Sequence, residues 1–135
     1  MRGSQCGEES CAWTFPTLGT FVVLAHEFGH ILQYKERVTD SWEMEPHADF
    51  MAGWALAQAL RRGINLASKD PLEDVERAAH AMFSFGDTAF NDRDHHGEPH
   101  YRAVMVRGGY DAGNLGVKEA FEKGMTWAGL ERKPA

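Results

Sequence analysis

Residues 26–30 read His-Glu-Phe-Gly-His, a set of side chains that can bind a metal ion and activate water. On an α-helix, positions i and i+4 lie about 40° apart around the axis, so His26 and His30 project from one face. Two imidazoles at this separation can bind one Zn²⁺, and Glu27 can reach a water molecule on the same ion. The chemistry that this pattern predicts is metal-assisted hydrolysis, most often of a peptide bond.

The helix that carries this pattern is expected to span residues 17–34 and to be buried on all sides. Its apolar residues recur at the helical period on the side opposite the histidines, and Val22 and Val23 make a further flank apolar. The alternative is a surface stripe of two histidines and a carboxylate on an amphipathic helix. Polar groups are costly to bury without partners, so a buried helix predicts that these groups have them. The apolar residues on the opposite side are Leu18, Phe21, Leu24, Ala25, Phe28, Ile31 and Leu32.

A catalytic zinc site needs a third protein ligand, with the fourth position kept for water. The best candidate is Glu45, just before the apolar run of residues 50–60. On a helix, Asp49 lies one turn after Glu45 and can accept the second ring N–H of a histidine ligand. His47 is the alternative ligand, although the helical count turns it away from Glu45 and predicts a solvated side chain. The two carboxylates also have a simpler explanation, an acidic first turn that complements the helix dipole.

Pro46 limits where this second helix can begin. Proline is tolerated in the first helical turn, because its missing N–H would be unsatisfied there anyway. We therefore expect the helix to begin between Ser41 and Glu45, with Asp40 or Ser41 as the N-cap. Glu45 then lies near the positive end of the helix dipole, which favours its ionised, metal-binding form.

Three segments of the chain form a recognisable combination: residues 24–33, residues 45–53, and a pattern of Asp92, His96-Gly97, Arg102 and Gly108 or Gly109. Together they resemble the gluzincin metallopeptidases, in particular the neutral zinc metallopeptidase family. The resemblance covers residues 20–113, and the segments follow the order of that family. The connection between the first two segments is short for this group, and Pro46 stands where family members continue a helix freely.

The resemblance implies a mainly helical metallopeptidase domain that binds Zn²⁺. In this chain the implied ligands are His26, His30 and Glu45. The general base would be Glu27, and Asp49 would support the site.

The third of these segments, which we call the closing motif, suggests a donor for the oxyanion that forms during peptide hydrolysis. His96 matches the family motif and could donate this hydrogen bond; a solvated loop histidine is the alternative. Three tyrosines could supply the same donor: Tyr34, Tyr101 and Tyr110. Arg102 is expected to brace the loop through a carboxylate such as Asp92.

The remaining sequence predicts a mainly α fold, a compact minimal zincin-like domain with at most one short N-terminal strand or hairpin. Residues 12–15, closed by Pro16, are the strand candidate. Helices are expected from Asp70 to near Gly86, from Pro99 to Gly108-Gly109, and over residues 114–127, with a polar loop at residues 91–98. Residues 1–135 are expected to form a single domain, with residues 1–10 and 131–135 flexible.

Composition limits the class of partner. The chain has 135 residues, of which 43% are hydrophobic and 25% charged, as expected for one soluble globular core. A net charge of −6 argues against nucleic acid or an anionic membrane surface as a partner. No stretch has the length of a membrane span. Peptides or proteins remain as the expected substrates, and composition leaves the oligomeric state open.

The N-terminal residues bear on the compartment. Residues 1–9 are too polar for a secretion signal, and Met1-Arg2-Gly3-Ser4 is typical of an expression vector, so a cytoplasmic protein and an exported domain without its signal both fit. Cys6 and Cys11 allow three interpretations: a local disulfide, two free thiols, or half of a second metal site.

These observations predict a zinc-dependent metallopeptidase with Glu27 as its general base. The alternative is a non-catalytic structural or interaction module that keeps the zincin fold and is stabilised by zinc. A hydrolase of non-peptide amides is a third possibility, because the metal-binding motif does not define the bond that is cleaved.

Overall fold

The computed structural model describes residues 7–63, 73 and 99–134, with side chains described from residue 19 in the first segment and residue 101 in the last. The described residues form four helices and no strand, which confirms the mainly α prediction. The helices are α1 (Gly7–Lys35), α2 (Met44–Arg61), α3 (Pro99–Asp111) and α4 (Val117–Ala128). The helix predicted from Asp70 and the loop at residues 91–98 lie outside the described residues, apart from Glu73 in a helical conformation.

Helix α1 is longer than the sequence indicated. It begins at Gly7, so the strand candidate at residues 12–15 is helical, which agrees with the expectation of at most one short strand. An apolar run of four residues is too short for its periodicity to distinguish a strand from a helix. In the structure, residues 12–15 belong to the same helix as the histidines. Pro16, which was expected to close the strand, lies within α1 as well.

Helix α2 begins where Pro46 requires. Met44 is its first residue, so Pro46 lies in the first turn and Glu45 lies at the positive end of the dipole, as expected. The predicted caps are wrong, because the N-cap is Glu43 and its side chain makes no capping hydrogen bond. The preceding turn is closed instead by backbone bonds from Met44 N to Ser41 O and from Glu45 N to Trp42 O.

Glycines allow α2 and α3 to cross with their backbones in contact. A Cβ atom on Gly53 of α2 would overlap the carbonyl of Val106, and one on Gly109 of α3 would overlap the carbonyl of Phe50. Helix α3 continues through Gly108 and Gly109 to Asp111, so the prediction that it stops at these glycines is wrong. The packing explains the difference, because Gly109 lies inside α3 where it crosses α2, and Gly108 leaves room for the Trp127 side chain of α4.

The buried face of α1 is the one that carries the histidines. His26 is 6% exposed, whereas Leu24 and Phe28 on the opposite side are 62% and 56% exposed. The expectation that this helix is buried on all sides is therefore wrong for the described residues. The exposed apolar side borders a groove of about 600 Å³ that Met51, Trp54 and other apolar residues also line.

The C-terminal residues, expected to be flexible, make contacts with the turn that follows α1. Thr39 N donates to Glu131 O at 2.6 Å, and Lys133 N donates to Arg37 O at 2.8 Å. Arg132 also donates to the Glu36 carboxylate at 2.8 Å. Across the described segments, no helix combines the length and apolar character needed to cross a membrane.

Candidate metal centre

Three predicted ligands meet where the second half of α1 packs against the first turn of α2. His26 Nε2 lies 3.1 Å from one oxygen of the Glu45 carboxylate, and His30 Nε2 lies 3.1 Å from the other. One donor atom from each residue can be chosen so that all three lie within 4.8 Å of one another. The two ring centroids are also 4.8 Å apart, with the ring planes nearly perpendicular. This group can bind a metal ion.

A buried carboxylate orients the first histidine. Asp49 is fully buried, and its Oδ1 accepts a hydrogen bond from His26 Nδ1 at 2.9 Å. Arg102 of α3 holds the same carboxylate through two bonds, from Nε to Oδ2 at 2.7 Å and from Nη2 to Oδ1 at 3.0 Å. Because Asp49 accepts two hydrogen bonds from Arg102 and its Oδ1 faces His26, the His26 ring donates from Nδ1 and its Nε2 atom faces Glu45.

An amide orients the second histidine. Gln33, also fully buried, accepts a hydrogen bond from His30 Nδ1 at its Oε1 atom, at 2.8 Å. The Nδ1 proton of His30 is thus committed, and Nε2 is the atom turned toward Glu45. Gln33 was not predicted as a site residue, although its position three residues after His30, on the same face of the helix, is a signal that could have identified it.

Hydrogen bonds among His26, His30 and Glu45 shift the pKa of each of these side chains. Burial lowers the pKa of His26, but hydrogen bonds to Asp49 and Glu45 outweigh it and raise this pKa to about 9. Burial also opposes the charge on His30, yet the Glu45 and Gln33 hydrogen bonds raise its pKa above the ordinary value. For Glu45, burial favours protonation, but hydrogen bonds from both histidines hold its pKa well below the usual range. The site therefore attracts positive charge.

The donor atoms can be compared with the spacing around a bound metal ion. Zn–N and Zn–O bonds of roughly 2.0–2.1 Å in a tetrahedral site place neighbouring ligand atoms about 3.3 Å apart. Each Nε2 atom lies 3.1 Å from a carboxylate oxygen, close to this spacing, but the two contacts are to different oxygens of Glu45. One donor atom from each residue gives a set that spans up to 4.8 Å, so a bound ion would draw the side chains closer together. Since both Nδ1 protons are already donated elsewhere, a neutral ring at either position would point its Nε2 lone pair at a carboxylate oxygen, and the raised pKa values show that the metal-free site favours a proton at these contacts. A nitrogen lone pair and a carboxylate oxygen repel each other at 3.1 Å, so either a proton on each Nε2 atom or one shared cation must lie between them.

The other predicted site residues fall in different places. Glu27 is exposed and lines the apolar groove. His47, expected to be solvated, is fully buried, and burial lowers its pKa to about 4. Its ring nitrogens contact Gln33 and the carbonyl of Phe121, so it is not part of the ligand group. His47 does lie on the side of α2 away from Glu45, as the helical count indicated, but α4 covers that side and excludes solvent.

The closing motif is described only in part. His96, Asp92 and His95 lie outside the described residues. Arg102 pairs with Asp49 of α2, whereas the loop that it was expected to brace through Asp92 lies outside the described residues. Arg102 and Asp49 are 53 residues apart in the sequence, so no local pattern indicates that they pair.

Comparisons with known proteins give no match: no family model, no curated protein and no solved structure corresponds to the chain. The resemblance to gluzincins therefore stays a prediction, and the argument for function depends on the geometry of the site.

The metal-free protein is expected to lose stability as the pH rises from 6.5 through about 9. A raised pKa means that the proton of His26 contributes stability fully below the unfolded value of 6.5, and this contribution disappears above the folded value. The expected loss is about 3 kcal/mol, and His30 acts in the same direction. Urea unfolding in chelator, on both sides of this pH window, measures it. A His26→Ala variant should have a flatter profile, and an equally steep one would contradict the assignment.

Proposed function

We propose that the protein is a zinc-dependent metallopeptidase in which His26, His30 and Glu45 hold the ion and Glu27 is the general base. One observation carries the proposal: two imidazole Nε2 atoms converge on a single carboxylate while both Nδ1 protons are donated elsewhere. Two nitrogens and a carboxylate form a ligand set of catalytic zinc sites, and the ion among them would keep an open position for water.

Zinc is favoured over the other divalent ions by the donor set. Imidazole nitrogen suits zinc, copper, iron and nickel, whereas magnesium and calcium prefer sites made of oxygen ligands. The supports also suit zinc, because histidine ligands of this metal usually donate their second ring N–H to a carboxylate or carbonyl oxygen. When bound, zinc would lower the pKa of a water ligand to about 7 and polarise the scissile carbonyl.

The residues of the chain have separate roles in the proposed reaction. Glu27 follows the first ligand on α1, and its exposed carboxylate accepts the proton of the attacking water and returns it to the leaving amine. Asp49 and Arg102 hold the His26 ring so that it donates from Nδ1 throughout.

A hydrogen-bond donor is also needed for the oxyanion. His96, the donor suggested by the resemblance, lies outside the described residues. Of the tyrosines, Tyr101 is half-buried, and burial together with the carboxylates of Glu43 and Asp49 raises the pKa of its phenol. Its hydroxyl therefore stays protonated and able to donate. Tyr34 is 77% exposed and is the weaker candidate.

The proposal is tested by metal analysis and cleavage together. We expect about one zinc per chain by elemental analysis, and chelator-sensitive cleavage of a quenched peptide library that added zinc restores. Glu45→Gln should lower zinc affinity by at least about tenfold, whereas the neighbouring Glu43→Gln, outside the ligand group, should keep it.

Each result has a distinct meaning. No bound zinc in the wild-type protein would overturn the proposed site. Zinc binding without cleavage of any peptide would overturn the peptidase proposal and favour a structural module. Cleavage that continues in excess chelator would exclude a metal-dependent mechanism.

A further inference from the structure

We propose that Gln33 and His47 are positioning residues that fix which nitrogen of His30 faces the metal, through a chain of hydrogen bonds ending at the backbone carbonyl of Phe121. The inference rests on the proposed zinc site but not on peptide cleavage. The chain joins the ligand helix α1 to α4 by way of α2. Gln33 and His47 lie outside the group of His26, His30 and Glu45 that would bind the ion.

The orientation of the Gln33 amide is determined by the backbone of α2. One end of this amide, Nε2, lies 3.0 Å from the carbonyl oxygen of Met44. A carbonyl oxygen can only accept a hydrogen bond, so the atom facing it must be the NH₂ group. The opposite end, Oε1, is then the atom 2.8 Å from His30 Nδ1. Because Oε1 can only accept, His30 must carry a proton on Nδ1.

The hydrogen bonds of the His47 ring agree with this orientation of the Gln33 amide. Its Nε2 atom lies 3.1 Å from the carbonyl oxygen of Phe121 and must therefore donate. Its Nδ1 atom lies 2.7 Å from Gln33 Nε2, which is already identified as a donor, so Nδ1 must accept. The two protons of the Gln33 amide thus go to Met44 O and His47 Nδ1. Every donor in the chain meets an acceptor, and the opposite amide orientation would place oxygen against oxygen at Met44.

A glycine in α4 makes room for the last bond of the chain. A Cβ atom on Gly124 would lie 3.1 Å from Cδ2 of His47 and 2.8 Å from a ring carbon of Phe50. The ring of His47 also contacts the Phe121 ring edge to face, with centroids 4.5 Å apart. The absence of a side chain at Gly124 therefore lets the imidazole approach α4 closely enough to reach the Phe121 carbonyl.

The two metal-facing histidines are consequently held by supports of different charge. His26 donates to a carboxylate paired with an arginine, whereas His30 donates to a neutral amide whose direction is fixed by Met44 and His47. With the proton on Nδ1, the Nε2 lone pair of His30 points at the site without first turning the ring or moving a proton. Removing the hydrogen bonds of Gln33 and His47 should therefore weaken metal binding, and not only the packing of α4.

The wild-type, zinc-loaded protein provides the first test, because ¹⁵N NMR distinguishes the protonated from the unprotonated ring nitrogens. We expect His30 to be protonated at Nδ1, and His47 to be neutral and protonated at Nε2. A His47 ring protonated at Nδ1, or His30 bound to zinc through Nδ1, would overturn the proposal without any variant.

Variants provide the second test through the zinc dissociation constant, measured by competition with a chelating dye. Gln33→Met, which keeps the volume but loses the amide, should weaken zinc binding by about 10- to 100-fold. His47→Leu should weaken it by about tenfold. His47→Gln should restore binding to within about threefold of wild type, because an amide can donate to Phe121 O and accept from Gln33.

Trp54→Phe is the matched control. It removes a hydrogen bond of 3.0 Å from the same helix to another backbone carbonyl, that of Leu115, and this bond has no connection to His30. The control should lower thermal stability but leave the zinc dissociation constant unchanged. Equal zinc affinity in wild type and Gln33→Met would overturn the positioning role alone. Absence of zinc binding in the wild-type protein would overturn the proposed site and this inference with it.

Discussion

Replacing Glu27 with glutamine is expected to leave zinc bound and to lower kcat for peptide cleavage by about 10³-fold. The variant keeps the size and polarity of the side chain but removes the carboxylate that accepts a proton. Since Glu27 is exposed and is not part of the ligand group, the metal site and the fold should remain as they are. The expected loss is therefore in turnover, with zinc content and melting temperature close to wild type.

Two measurements on the same preparation establish this result: zinc content by elemental analysis, and initial rates of cleavage of a quenched peptide. Glu131→Gln is a suitable control, because Glu131 is exposed in the C-terminal segment and its known contact is made by its backbone carbonyl. Its rate should match wild type. Cleavage by Glu27→Gln at the wild-type rate would remove Glu27 from the mechanism, and loss of zinc from this variant would mean that its role is in metal binding.

Replacing Gly109 with alanine is expected to destabilise the fold by about 3 kcal/mol or more, even though alanine is the better helix former. The new Cβ would overlap the carbonyl of Phe50 on α2, and this carbonyl belongs to a helix backbone that cannot turn away. Helix α3 would have to move outward. Arg102 lies on α3 and holds Asp49, so zinc affinity should fall together with stability.

Urea unfolding followed by circular dichroism measures the loss in the zinc-free protein. Gly116→Ala is the matched control, because the nearest atom to its new Cβ is Glu119 Oε1 at 3.6 Å, an ordinary contact. Its effect should stay below about 1 kcal/mol, the cost of a weaker N-cap. Equal stability of the two variants would show that the α2–α3 crossing tolerates a side chain, and would remove the argument for close backbone contact.

The main elements of the site could be predicted because their geometry is local. His26 and His30 are four residues apart, as are Glu45 and Asp49, and a regular helix turns each pair to one side whatever surrounds it. Pro46 similarly restricted the start of α2 through the chemistry of a single residue. Predictions of this kind depend only on helix geometry, and the structure places these residues as expected.

Burial was harder to predict. The apolar side of α1 was expected to face the core, yet the histidine side faces α2. Periodicity separates two sides of a helix but does not say which of them a neighbouring helix covers. Here Gly29 lets α2 approach the histidine side, where Ala48 packs closely, and the buried polar groups are satisfied by one another. The same limit explains His47, because the position of α4 is not encoded near it in the chain.

The sequence by itself determined the helical class, the paired histidines and the carboxylates that could complete a metal site, because each depends on spacing within one helix. Only the tertiary structure decided which partners hold those residues. Arg102 reaches Asp49 from α3, and the carbonyl of Phe121 on α4 receives the hydrogen bond of His47. These contacts join residues distant in the chain. Gly53 and Gly109 let α2 and α3 cross with their backbones in contact, and Gly124 leaves room for the His47 ring against α4.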